Sequence, residues 1–182
     1  YSSGTHNVAI GYNALAAFTT GIENVAIGAA AGDAITSGYR NVTIGRYAGS
    51  AINTGTSNII LGYAAGDAIT DTTNTVLIGE NAGGAINSTD ANGTVAIGYQ
   101  AGNAITSGVG NTLLGYQAVV NLTNDRNNTL IGYLAGEKVG TGPQYAGEYN
   151  TMVGSEAGQR ITGSANVIMG YQAGHGKQGV GP

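Results

Sequence analysis

One short pattern of apolar and polar positions recurs along the chain. It consists of an asparagine, three mostly apolar residues and a glycine, as in Asn24 to Gly28, and small residues follow it. The closing glycine, called the repeat glycine below, falls at Gly11, Gly28, Gly45, Gly62, Gly79, Gly98, Gly115, Gly132, Gly154 and Gly170. Most of these glycines are 17 residues apart. Such a short fixed period predicts a solenoid, in which each unit stacks on its neighbours and does not fold alone.

The apolar positions within each repeat predict short β-strands. Val25 and Ile27 lie three and one residues before the repeat glycine, an alternation that places both on one strand face. We expect this Val-x-Ile face to be buried inside the coil. Ala26 between them is apolar as well, so the opposite face also needs a cover. Ile35, seven residues after the glycine, predicts a second short strand in the same coil. The fold prediction is an all-β, parallel β-roll solenoid of about ten 17-residue coils.

The small and polar positions predict how the coils contact each other. An asparagine lies four residues before the repeat glycine in eight copies, which predicts a ladder of hydrogen bonds between coils. Alanine lies three residues after it and a second glycine usually follows, which predicts a tight corner. The residues taken to define the repeat are Asn24, Ile27, Gly28, Ala31, Gly32, Ile35, Gly45, Gly62, Gly98, Gly115 and Gly132.

Composition narrows the functional classes. The apolar content is 42%, which is too high for simple disorder. Charged residues are 9% of the chain, the net charge is −4 and no basic run occurs, so we expect no nucleic-acid partner. No apolar run approaches the roughly 20 residues that span a bilayer, so we expect no direct membrane insertion. We expect no cofactor, no metal and no catalytic residue. Residues 1–182 are interpreted as one domain and, because the chain starts at Tyr1, as a piece of a longer protein.

Two insertions interrupt the period, at 87–94 and 137–149. Insertions in solenoids map to loops on one face, which is often the binding face. A tolerated surface bulge is the alternative, because lengthening a loop costs little. The binding candidates in the longer insertion are Glu137, Lys138, Gln144, Tyr145, Glu148 and Tyr149.

Other columns of equivalent residues suggest further chemistry. Tyrosine follows the repeat glycine in six copies, which predicts a row of rings that either pack or hold sugars. Asp33, Asp67, Asn103 and Glu137 share one position and raise a calcium hypothesis against that of a solvated turn. A column of single threonines, such as Thr36 and Thr106, raises the hypothesis of an ice-binding surface.

The run Asn-Val-Ala-Ile-Gly resembles the head repeats of YadA-like trimeric autotransporter adhesins. The longer unit from Asn128 to Gly136, with the lead-in from Thr20 to Ile27, resembles repeats in phage tail-fibre proteins. The resemblance implies a left-handed β-roll in an elongated homotrimer, located outside the cell on a virion tail fibre or a bacterial surface. It also implies a non-enzymatic structural shaft and recognition element whose receptor is a cell-surface glycan or protein.

The two apolar strand faces independently favour a homo-oligomer, because identical repeats present identical strips that cyclic symmetry can bring together. Three alternatives stay open at this point. A purely structural filament would stack solenoid ends on further repeats. A polysaccharide-cleaving tailspike would need paired carboxylates, for which Glu137 and Glu148 are the candidates. An ice-binding solenoid would use the threonine column.

Overall fold

The computed structural model describes residues 3–87, 89–119, 123–136, 147–159, 161 and 163–174. Its regular structure is ten short β-strands and one 3₁₀ turn, Thr89–Ala91. The strands are β1 (Val8–Ile10), β2 (Val25–Ile27), β3 (Val42–Ile44), β4 (Ile59–Leu61), β5 (Val76–Ile78), β6 (Val95–Ile97), β7 (Thr112–Leu114), β8 (Thr129–Ile131), β9 (Thr151–Val153) and β10 (Val167–Met169).

The ten strands form one parallel sheet in chain order, and each strand pairs with the equivalent residues of the next coil. Val8 lies opposite Val25 and Val25 opposite Val42, and this register continues to β10. Strand spacing therefore reproduces the sequence period, and ten rungs enclose nine complete turns. The prediction of an all-β solenoid with coils of about 17 residues is confirmed.

The assignment of inner and outer strand faces was wrong. Ala26, the middle residue of β2, is fully buried, whereas Val25 and Ile27 on either side are only half-buried. The equivalent middle residues with 0% exposure are Thr43, Ile60, Leu77, Ala96, Leu113, Leu130 and Met152. The interior of a coil is narrow and admits one residue from each strand, so the two flanking residues lie outside.

The other buried positions agree with the prediction made from the sequence. The alanine three residues after the repeat glycine is fully buried at Ala31, Ala48, Ala65, Ala82, Ala101, Ala118, Ala135 and Ala157. The isoleucine seven residues after the glycine is fully buried at Ile35, Ile52, Ile69, Ile86 and Ile105. Together with the middle strand residues, these side chains form one continuous core along the solenoid.

The predicted second strand was also wrong. Each coil in the described ranges has one strand, and the side that carries Ile35 consists of turns. Hydrogen bonds still join this side of successive coils, as from Gly32 N to Ala48 O at 3.0 Å. The backbone is not extended there, because Ala30 and Gly32 both have left-handed φ angles, 54° and 53°.

The asparagine ladder is confirmed. Asn41 lies fully buried, and its backbone N donates to Asn24 Oδ1 at 3.0 Å. Its Nδ2 donates to Gly55 O at 2.8 Å. Where threonine replaces asparagine at Thr75, the hydroxyl donates to Asn58 Oδ1 at 2.7 Å. The ladder satisfies polar groups that the corner would otherwise bury unpaired.

A third left-handed position lies five residues before the repeat glycine, and it predicts a stabilising substitution. Asn74 occupies it with a φ of 57°, and Ala165 with a φ of 60°. Both residues are exposed. Because asparagine tolerates this conformation better than alanine, we expect Ala165→Asn to raise the unfolding free energy by about 1 kcal/mol. Urea denaturation should show a higher midpoint, and Asn74→Ala should shift it the other way by a similar amount. A lower midpoint for Ala165→Asn would contradict the backbone argument.

Candidate functional site

The outward residues of strands β2 to β9 form a long, largely apolar surface, called the outer strip below. It consists of Val25, Ile27, Val42, Ile44, Ile59, Leu61, Val76, Ile78, Val95, Ile97, Thr112, Leu114, Thr129, Ile131, Thr151 and Val153. Ile59 and Leu114 are 43% and 42% exposed in the single chain. Within the described ranges, each strand contacts only the neighbouring strands of its own sheet. The outer strip therefore has no cover from those strands.

A column of tyrosines continues this surface, since each tyrosine directly follows a repeat glycine. The rings of Tyr99 and Tyr116 stack with centroids 5.1 Å apart, and those of Tyr116 and Tyr133 with centroids 5.4 Å apart. The three residues remain 37% to 49% exposed. The predicted row of rings is present here: the rings pack on each other and still offer aromatic surface to a partner.

The binding candidates of the longer insertion divide into two groups. Glu137, Lys138, Gln144 and Tyr145 lie outside the described residues. Glu148 accepts a hydrogen bond from Arg126 Nε at 2.9 Å, and its side chain is 21% exposed. Tyr149 is 57% exposed, and its backbone N donates to Arg126 O at 3.2 Å. The structure thus places Glu148 and Tyr149 side by side against the coil that precedes the insertion.

A polar groove beside the shorter insertion was not foreseen as a site. Its volume is about 490 Å³, and the described residues that line it are Thr89, Asn92, Ser107, Val109, Asn124 and Arg126. The lining comes from three successive coils, those that lead into β6, β7 and β8. The only sequence signal was the insertion at 87–94, because the other lining residues occupy ordinary positions of the repeat.

Two carboxyl groups near the coil corners, those of Asp67 and Asp125, have raised pKa values. Burial raises the pKa of Asp125 above its ordinary value of 3.8, a hydrogen bond from the backbone of Gly147 opposes this rise, and the charge of Glu148 adds to it. Burial likewise raises the pKa of Asp67. The side-chain oxygens of Asp67 and Asn103 both lie close to Gly84, so the surroundings of this glycine are polar. Among the residues that the structure describes, no group of three histidine, cysteine or acidic side chains is placed to hold a metal ion.

Asp125 gives a pH prediction. Between the ordinary pKa and the raised folded pKa, the folded state binds more protons than the unfolded state, so stability falls as the pH rises through this window. We expect Asp125→Asn to raise the unfolding free energy at pH 7, where the buried charge is removed, and to give no gain at pH 3. Denaturation at the two pH values checks this. An equal gain at both would mean that packing, not charge, causes the effect.

No family model, curated protein or solved structure matches the chain. In the parts of the chain that the structure describes, no helix is long and apolar enough to cross a membrane. Functional arguments therefore rest on the geometry of the outer strip, the tyrosine column and the polar groove.

Proposed function

We propose that this chain is a segment of a non-enzymatic trimeric fibre or adhesin, a shaft that also presents a recognition surface outside the cell. A phage tail fibre or a bacterial surface adhesin is the setting that its repeat resembles. The observation that carries the proposal is the outer strip, an apolar sheet face that the strands of a single chain leave uncovered.

The strip favours association with identical chains. Exposed apolar surface of this continuity is unfavourable in water, and its burial is worth roughly 25 cal/mol for each Å² removed from solvent. Because the strands are in register, β-branched residues recur at the first outward position of each rung, as valine or isoleucine from β2 to β6 and as threonine from β7 to β9. A copy of the chain offers a matching surface over the full length, and cyclic symmetry closes three copies around one axis.

The acidic residues favour a binding role over hydrolysis. Polysaccharide cleavage needs one carboxylate to donate a proton and a second to act as nucleophile or base. Glu148, one of the two candidates, is already engaged with Arg126 at 2.9 Å. The threonine hydroxyls are engaged within the solenoid, which counts against ice binding: Thr106 Oγ1 shares its one hydrogen between Thr123 O at 3.1 Å and Asn124 Oδ1 at 3.0 Å.

The absolute mass in solution tests the assembly. We expect light scattering to give three times the 18.1 kDa chain mass, about 54 kDa. We expect Ile59→Lys to give the mass of one chain, because Ile59 is 43% exposed in the single chain but would be desolvated in the trimer. Ile22→Lys is the control, since Ile22 is 37% exposed at a coil corner away from the strip.

Two results would contradict the trimer. A wild-type monomer would mean that the strip is covered in another way. A heavy, polydisperse species would favour the self-stacking structural filament. Circular dichroism on both variants shows whether the coil itself is intact, so that loss of association is not confused with loss of fold.

A further inference from the structure

The polar groove has a fixed wall at one end. The 3₁₀ turn Thr89–Ala91 belongs to the shorter insertion, and Ala91 is fully buried in the core. The next residue, Asn92, accepts a hydrogen bond from Thr73 N at 2.7 Å through its Oδ1. The insertion is therefore anchored to the preceding coil by both packing and hydrogen bonding. Such an anchored loop loses little entropy when a ligand binds.

The far end of the groove adjoins the second insertion. Arg126 lines the groove, and Glu148 and Tyr149, at the described end of the longer insertion, contact it. The two insertions, which sequence alone presents as unrelated interruptions, thus meet the same surface of the solenoid. The regular coils that carry Ser107 and Asn124 form the floor between them.

The lining presents two side-chain amides that are hydrogen-bonded to the neighbouring coils. Asn124 Oδ1 accepts from Thr106 Oγ1 at 3.0 Å and from Ser107 Oγ at 2.8 Å, so its amide is held against these two hydroxyls. Asn92 Oδ1 is likewise occupied. In each case the Nδ2 group is left as a donor with no partner in the described chain. Asparagine amides held in this way suit hydroxyl groups.

The charge of the lining is balanced. Arg126 is the charged residue among the six described lining residues, and Glu148 compensates it at 2.9 Å. Val109, 37% exposed, adds a small apolar area, and Tyr149 adds an exposed aromatic residue beside the far wall. A volume of about 490 Å³ falls in the range of about 300–1,000 Å³ typical of small-molecule sites.

We propose that this groove binds a short neutral oligosaccharide. The ligand's hydroxyls accept from the amides of Asn92 and Asn124 and exchange hydrogen bonds with Thr89 and Ser107, while Val109 contacts the apolar face of a sugar ring. This inference rests on the proposed role in surface recognition and names its ligand class. Three copies of a weak site along one fibre would give the avidity that surface attachment needs.

The test begins with the full chain on an immobilised array of neutral and acidic di- and trisaccharides. The neutral sugar retained most strongly is then titrated into the protein by calorimetry. We expect Asn124→Asp, which keeps the Oδ1 acceptor but removes the Nδ2 donor, to weaken its binding at least tenfold. The matched control is Asn53→Asp, because Asn53 Oδ1 accepts from Thr36 Oγ1 in the same way on a coil outside the groove.

A second pair of variants tests occupancy of the groove itself. Val109 and Ile22 occupy equivalent positions in their coils, and both are 37% exposed. Val109→Gln should extend a longer side chain into the groove and abolish sugar binding, whereas Ile22→Gln should change the affinity less than twofold.

The outcomes separate this inference from the proposed fibre. A trimer that retains no neutral sugar, or retains only acidic ones, overturns the groove proposal and leaves the fibre proposal standing. Equal losses for Asn124→Asp and Asn53→Asp, or for the two glutamine variants, would also overturn it. A monomer that binds neutral sugar and loses it with Asn124→Asp supports the groove while contradicting the trimeric assembly.

Discussion

Replacing Gly98 with alanine is expected to destabilise the solenoid by about 4 kcal/mol or more, among the largest effects of a single methyl group. Gly98 has a φ of 137°, and a Cβ at this residue would lie 2.3 Å from Gly115 O on the next coil. The obstacle is backbone that is itself hydrogen-bonded to the neighbouring coils, so it cannot move without breaking the stack. Strain in φ adds about 1 to 3 kcal/mol.

Gly163 provides the matched control. Its φ is 132°, nearly that of Gly98, but nothing lies within 4 Å of the position of a Cβ. Gly163→Ala should therefore show the φ strain alone, about 1 to 3 kcal/mol. Chemical denaturation of both variants gives the difference, which isolates the steric contact between coils. Similar losses for the two variants would show that the close approach of the coils is not what requires glycine.

Replacing Asn41 with alanine is expected to cost about 3 kcal/mol, because several buried polar groups lose their partners at once. Asn41 Oδ1 accepts from Asn58 N at 3.1 Å and from Asn58 Nδ2 at 3.0 Å. Asn41 Nδ2 donates to Gly55 O at 2.8 Å. Alanine removes these bonds and leaves a cavity beside the buried groups that have lost their partners.

Asn41→Thr is the informative comparison. Threonine occupies the equivalent position at Thr75 and Thr94, where it is fully buried. We expect the threonine variant to keep part of the ladder and to lose about half as much stability as alanine. Thermal or urea denaturation of the two variants ranks them. A threonine variant as unstable as the alanine variant would mean that the ladder tolerates threonine only beside the insertion at 87–94.

The sequence predicted the period, the asparagine ladder and the small residues because each depends on contact between equivalent positions of successive coils. Stacking places Asn24 next to Asn41 whatever the shape of the coil. The inner face of the strand could not be deduced from alternation, since Val25, Ala26 and Ile27 are all apolar. The variety of side chains at each position was a usable signal. The inward position varies in size from Ala26 to Met152, whereas the outward positions are mostly β-branched residues, which suit an exposed sheet face.

The second strand was predicted from one apolar position, Ile35, and one position is not enough evidence for a strand. A buried isoleucine shows that the chain faces the core, but not that the backbone is extended. Asn81 and Gly32 carried the missing information, because asparagine and glycine adopt left-handed φ angles most readily.

The polar groove was beyond prediction, since its residues are neighbours only after two insertions and three coils are placed around one surface.

The hydrogen bonds between coils run along the axis of the solenoid, and this decides how it responds to tension. A pull on the two ends of the sheet loads the terminal coils first, since β1 and β10 each pair with one strand whereas every inner strand pairs with two. Each released coil adds about 17 extended residues, close to 60 Å, in place of one rise of roughly 4.8 Å. Each coil that yields thus contributes more than ten times its folded length, and the solenoid would dissipate mechanical work stepwise while the remaining coils keep their structure.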